Sequence, residues 1–172
     1  MAEHLRYALG ESSLGTLLAA RSEHGLVAFA FSDERDENIK HLQERFPGAV
    51  ISEDCDLLRE TMIALSALVD HPERHLDIPL DIRGTDYQKR VWALLRQIPP
   101  GTTTYYGAIA AQLGERDART ATEAIASNPI AILIPCHRVV KKDGSLSGYR
   151  GGVRRKRALL MREQRASAFE LC

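Results

Sequence analysis

The chain is poor in cysteine, with three in 172 residues, at Cys55, Cys136 and Cys172. An odd number so widely spaced makes no disulfide framework, and no CxxC pair offers a metal its usual spacing. A reducing, cytoplasmic setting is therefore expected, with no metal and no cofactor. No apolar run approaches the ~18 residues of a membrane-spanning helix, so no membrane partner is expected. The opening MAEHLRYALGESS lacks a basic end followed by an apolar stretch and does not read as a signal peptide. Net charge is also missing, but the zero conceals an asymmetry. Residues 1–86 hold 17 acidic and 8 basic side chains, a balance of −9, whereas residues 87–172 hold 6 and 15, a balance of +9. An acidic half joined to a basic half suggests two modules, the second meeting a polyanion. The plainer reading is a soluble protein with uneven surface charge.

What remains is an ordinary globular composition, 44% hydrophobic and 27% charged, enough for a sizeable core. RYAL, LGTLLAARS and GLVAFAFS read as strands, with Gly10-Glu11-Ser12 and His24-Gly25 as the turns between them. DENIKHLQERF (36–46) carries Ile39, Leu42 and Phe46 at helical spacing, and Cys55 to Val69 is a second helical run. LDIPLDI (76–82) alternates like an edge strand, with Pro79 marking the edge. These elements predict a small N-terminal module with an antiparallel sheet, over residues 1–80. Residues 81–172 read as a mostly helical second domain, making the whole α+β.

The second half opens on a capping box, Thr85 with Gln88. Tyr87, Val91, Leu94, Leu95 and Ile98 then form one apolar stripe, and Pro99-Pro100-Gly101 closes the helix. YGAIAAQLG (106–114) and DARTATEAIAS (117–127) are two short helices, the first closed by Gly114 and the second holding Asp117 in its first turn. A Gly-containing turn between them fits a DNA-reading helix-turn-helix or an ordinary helical hairpin. On the second helix, Ala118, Ala121, Thr122 and Ile125 line one face, and Arg119, Glu123 and Ala126 another. The final helix, 153–163, places Glu163 on the face of Leu159 and Leu160, where a carboxylate needs either a partner or a rim position. Its basic run, Arg154 to Arg157, offers phosphate contacts together with Lys141 and Lys142, or else a solvated face.

The stretch NPIAILIPCHRVV (128–140) carries the chemistry. A buried apolar run ends in Pro135, then a thiol, an imidazole and a guanidinium follow in succession. Cys136 is either a small core residue or a nucleophile, and a nucleophile needs a base or a cation to form its thiolate. His137 is adjacent, but in an extended strand it points to the opposite face, so a relay requires a bend or an intervening water.

IPCHRVV, with Asn128-Pro129 before it and Ser147-Gly148-Tyr149 after it, resembles the active-site signature of the O6-alkylguanine-DNA alkyltransferases. RYALGESSLGTLLAARSEHGL and DIRGTDYQKRVWALLRQIPPGTTTYYGAIAAQLG extend the likeness over nearly the whole chain. It is most like the C-terminal methyltransferase domain of bacterial Ada proteins. The resemblance implies an RNase H-like N-terminal module and a helix-turn-helix in the second domain. It implies a monomer that repairs double-stranded DNA containing O6-alkylguanine, with O4-alkylthymine a further candidate substrate. The alkyl group passes irreversibly to Cys136, one turnover per chain. His137 becomes the base acting through water, Glu163 its orienting carboxylate, Asn128 the tie to the helix-turn-helix, and Tyr106 the donor to the leaving base. Arg119 becomes the finger that enters the duplex, with Ala118, Thr120 and Ala126 as further DNA contacts. Pro135, Val139, Tyr149 and Arg150 become the base pocket, to which the backbone carbonyls of Cys136 and Val139 and the N–H of Arg150 contribute. Two features depart from the family pattern. Glu123 stands where a small residue is usual, four residues from Arg119 and within reach of it, and the turn from Gly114 to Arg119 is one residue short. A cysteine hydrolase using Cys136, His137 and Glu163 is the alternative chemistry.

Overall fold

The structure is a computed structural model that describes residues 2–146 and 148–170. Ser147 of the signature and Cys172 lie outside the described residues. Its four-stranded sheet runs β3-β2-β1-β4, from β1 (His4–Ser12), β2 (Gly15–Arg21), β3 (Leu26–Phe31) and β4 (Val50–Glu53). The first turn falls at Ser13 and Leu14, not at Gly10–Ser12, which stay in β1 and pair as far as Ser12 with Gly15. The sheet is mixed rather than antiparallel, because β4, which the sequence did not reveal, lies parallel to β1 with His4 opposite Val50.

Alternation sorts each strand onto two faces. Leu5, Tyr7, Leu18 and Ala20 pack with Leu42 and Phe46 beneath α1 (Arg35–Arg45). Ala8, Leu17 and Ala19 face Leu58, Met62 and Leu65 of α2 (Cys55–Asp70). Gly10 sits where a Cβ would lie 2.3 Å from Met62 Cγ, so the helix rests directly on the backbone of β1. With apolar contacts on both faces, LLAA and LVAFAF are nearly unbroken apolar runs.

The free edge of β3 receives two passing segments. Leu26 N–H donates to Pro79 O at 3.0 Å and Asp81 N–H to Leu26 O at 2.8 Å, a single bridge rather than the strand that LDIPLDI suggested. Proline has no N–H with which to continue a ladder. Further along, Phe29 N–H donates to Pro129 O and Ala131 N–H to Phe29 O, both at 2.9 Å. The segment before Cys136 is thereby docked on the sheet.

Helix α3 (Asp86–Leu95) has both halves of the Thr85–Gln88 capping box. It ends at Leu95, ahead of the prolines, although Ile98 stays buried. Its inward face centres on Val91, Trp92 and Leu95, and Trp92 Nε1–H donates to Ala124 O at 2.8 Å. That bond joins α3 to α5 (Arg119–Ala126), which follows α4 (Tyr106–Gln112) after a turn with Gly114 at φ +77°. Asp117 lies before α5, not in its first turn, and accepts from Arg119 N–H at 2.9 Å. The inward face of α5 is Ala121, Ala124 and Ile125; Thr122 is exposed. Strands β5 (Thr104–Tyr105) and β6 (Val139–Val140) pair in parallel, and α6 (Val153–Glu170) runs past the residues expected of it. The architecture is α+β, with a four-stranded sheet and six α-helices among the described residues.

Candidate active site

The apolar run is buried but not extended. Ile130 and Ile134 are fully buried, and Ile132 adopts φ +67°, a left-handed conformation costly for a β-branched residue, about 1–3 kcal/mol. Asn128 holds this contorted segment. Its Oδ1 accepts from Ile130 N–H at 3.0 Å, and its Nδ2 donates to Ile134 O at 2.6 Å and to Cys136 Sγ at 3.1 Å. Beyond Pro135 the chain makes one 3-10 turn, Cys136–Arg138. The backbone from Cys136 to His137 is therefore turned rather than extended.

Cys136 forms the floor of a cleft whose lining includes Phe31, Tyr106, Ala126, Asn128, Tyr149 and Arg150. Val139 and Pro135 are buried behind it and do not line it. Arg155 fixes the far lip: its Nε donates to Leu14 O at 2.8 Å, its guanidinium pairs with Asp33 at 2.5 Å and lies 4.8 Å over the Phe31 ring, and Nη1 reaches Gly151 O at 3.1 Å. The Tyr149 hydroxyl is buried without a hydrogen-bond partner among the described residues.

Behind the thiol, His137 is fully buried and its Nε2 bonds to Glu163 Oε1. The carboxylate fixes the tautomer, with the proton on Nε2 and the lone pair on Nδ1. Nδ1 is buried and has no hydrogen-bond partner among the described residues. Glu163 thus meets the need for a partner that its inward position created. Burial opposes its ionisation, but His137 and Arg138 outweigh that and hold it below the usual carboxylate value. Burial pushes the Cys136 thiol up, against the opposing pull of Asn128 and Lys156. Burial also pushes His137 down, although Glu163 opposes this. Both shifts favour the uncharged forms at neutral pH, a thiol at Cys136 and a neutral imidazole at His137.

Two site residues escaped the sequence reading. Arg138, 7% exposed, donates from Nε to Glu163 Oε2 at 2.8 Å. Lys156, 1% exposed, places Nζ 3.5 Å from Tyr106 OH and 5.8 Å from the centre of that ring. Lys156 is therefore not the surface phosphate contact that the basic run suggested, and neither is Arg155, already paired with Asp33. Arg154, Arg157, Lys141 and Lys142 are exposed. So are Arg119, Thr120, Glu123 and Ala126, with Ala118 half-buried at the start of α5. Arg119 and Glu123 form no ion pair in the structure.

Residues 86–165 match the family model described as the DNA-binding domain of 6-O-methylguanine DNA methyltransferase. The chain is 43% identical over 160 residues to the bifunctional transcriptional activator/DNA repair enzyme Ada of Escherichia coli (strain K12), covering 92% of this chain and 45% of that protein. It spans about half the length of the Ada proteins it matches. It is 38% identical over 134 residues to the inducible methylated-DNA–protein-cysteine methyltransferase of Bacillus subtilis (strain 168), covering 77% of this chain and 75% of that one. The crystal structure of Mycobacterium tuberculosis OGT in complex with DNA superposes with a TM-score of 0.72 at 34% identity, covering 94% of this chain and 93% of that one. A chain that shares this much sequence and fold with them belongs to the family of methylated-DNA–protein-cysteine methyltransferases.

Proposed function

We propose that this chain repairs O6-alkylguanine in double-stranded DNA by moving the alkyl group onto Cys136, once per molecule. The observation that carries the reading is Cys136 at the floor of a cleft, with a buried His137–Glu163 pair behind it. The thiol proton passes through a water to His137 Nδ1, and the thiolate attacks the alkyl carbon in line with its bond to O6. The C–O6 bond breaks and its electron pair goes to guanine, which takes a proton from Tyr106. His137 and Tyr106 return to their resting protonation through solvent. The sulfur is left as a thioether, which has no route back to the thiol here. O4-alkylthymine fits the same displacement.

A base inside a duplex is out of the thiol's reach, so the damaged nucleotide is flipped into the cleft, between Tyr106 and the 149–151 lip. In this reading α4 and α5 act as a helix-turn-helix. Arg119 fills the vacated space, with Ala118, Thr120 and Ala126 lying against the duplex. Asn128 ties α5 to the active-site segment. The N–H of Arg150 and the carbonyls of Cys136 and Val139 read the guanine edge beside Tyr149, with Pro135 supporting the turn. Residues 1–80 form an RNase H-like module that supports this second domain, residues 81–172.

The test is intact mass and peptide mapping after incubation with a duplex containing O6-methylguanine. One methyl group per chain on the Cys136 peptide is expected, and none in Cys136→Ser. A methyl group mapped to Cys55, or continued turnover with unmodified protein, would overturn the reading, turnover being the mark of a hydrolase.

A further inference from the structure

The Glu163 carboxylate is shared. Oε1 faces His137 Nε2 and also receives Arg138 Nε at 3.2 Å, while Oε2 receives Arg138 Nε at 2.8 Å and the Gly101 N–H at 3.1 Å. The other guanidinium nitrogens are committed to main-chain carbonyls, Nη1 to Ile98 O at 2.7 Å and Nη2 to Pro72 O at 3.4 Å. The guanidinium is thereby held against the carboxylate from three directions, and Glu163 is itself 1% exposed.

A buried carboxylate with only an imidazole for company draws a proton onto that imidazole, because an ion pair is the cheapest way to keep the charge out of water. An imidazolium cannot accept the thiol proton. The charged groups that face His137 are Glu163 and Lys156 from α6, and Arg138 from its own turn. Glu163 is the one carboxylate among them, and Arg138 is the cation in direct contact with it.

We infer that Arg138 is a positioning residue that keeps His137 neutral: by neutralising Glu163, it lets the carboxylate orient the imidazole without protonating it. The inference rests on His137 serving as the base for Cys136. The guanidinium and the imidazole compete for one carboxylate. The guanidinium is permanently charged, so it supplies the compensation and the imidazole supplies only a hydrogen bond.

The experiment compares the pH dependence of alkyl transfer from an O6-methylguanine duplex for the wild type, Arg138→Gln and Arg138→Lys. Alongside it, the His137 ring is titrated by NMR in a Cys136→Ser background. In Arg138→Gln the acid limb of the rate profile and the His137 titration should both move up by about one unit or more. Below both limbs, the rate should then lie about tenfold or more under wild type, and the deficit should close as pH rises. Arg138→Lys keeps a cation but loses the carbonyl anchors, and its limb should stay near wild type even if its plateau drops. A limb that stays in place in Arg138→Gln, with a rate lowered equally at every pH, would reduce Arg138 to a scaffold and overturn the inference. So would a limb that moves as far in the Lys variant as in the Gln variant. If Arg138→Gln fails to fold, Arg138→Met serves as the uncharged variant, and the same contrast with Arg138→Lys decides. If the wild type itself transfers no alkyl group, the reading of Cys136 fails, and the His137 titration still tests Arg138.

Discussion

Asn128 has the most to lose from one substitution. Its amide serves two main-chain groups and the thiol, at 3.0, 2.6 and 3.1 Å, and the residue is 8% exposed. In Asn128→Ala, Ile130 N–H loses its partner and Ile134 C=O keeps only the Cys136 N–H at 2.8 Å, in a segment already strained at Ile132. A buried polar group left unpaired costs ~1–3 kcal/mol, so the orphaned Ile130 N–H should lower stability by about that much. Asn128→Asp keeps the shape but turns an acceptor toward Ile134 O. It also sets a negative charge beside Cys136, where it opposes the thiolate. The Ala variant should therefore be hurt more in stability, and the Asp variant more in rate. Urea unfolding gives the first, through a lower midpoint at unchanged slope, and single-turnover alkyl transfer gives the second. An Ala variant within about 0.5 kcal/mol of wild type and with an unaltered rate would show that these hydrogen bonds are incidental to the segment's shape.

Stability should also respond to pH through the buried pair. Burial holds His137 below its ordinary value of 6.5, so from 6.5 down to its depressed value the unfolded chain binds the extra proton. Stability is then full above about pH 6.5 and declines as the pH falls below it; Glu163, held below 4.5, adds its own loss at lower pH. Urea midpoints followed downward from neutrality test this, and midpoints that rise on acidification would refute it. On the DNA side, Arg119→Ala should slow repair of duplex far more than reaction with free O6-methylguanine base, which needs no flipping. Glu123 is exposed and has no ion pair with Arg119, so Glu123→Ala should tighten duplex binding by removing a charge that repels phosphate, most visibly at low salt. Unchanged affinity would mean that Glu123 points away from the DNA.

Features settled within a few residues were legible in the sequence. The Thr85–Gln88 box needs only its own backbone, and both of its bonds form. Strand β4 was not legible because VISE is short and exposed at both ends, and its partner β1 lies more than forty residues earlier. The first turn was misplaced because Gly10 suggests a turn by composition, whereas its missing Cβ makes room for Met62. Cys136, His137 and Glu163 could be singled out from an unusual string and a carboxylate on an apolar face. Arg138 and Lys156 were passed over because a cation in sequence reads as a surface charge, and only packing reveals that its partners are inside.

A signal for Lys156 was nevertheless present. Lys156, Leu159 and Glu163 stand at helical spacing, and each is at most 1% exposed, so the inward stripe of α6 carries a cation near one end and an anion near the other. The two ends serve different halves of the site: Lys156 reaches Tyr106 and its charge favours the Cys136 thiolate, whereas Glu163 reaches His137 and Arg138. Rotating α6 by one residue, ~100° about its axis, would carry both charges off the site and put Arg157 and Gln164 in their places. A helix used only for packing could tolerate such a slip by exchanging one leucine for another. This one cannot, because the charge that favours the Cys136 thiolate and the charge that holds His137 sit two turns apart on a single rigid element.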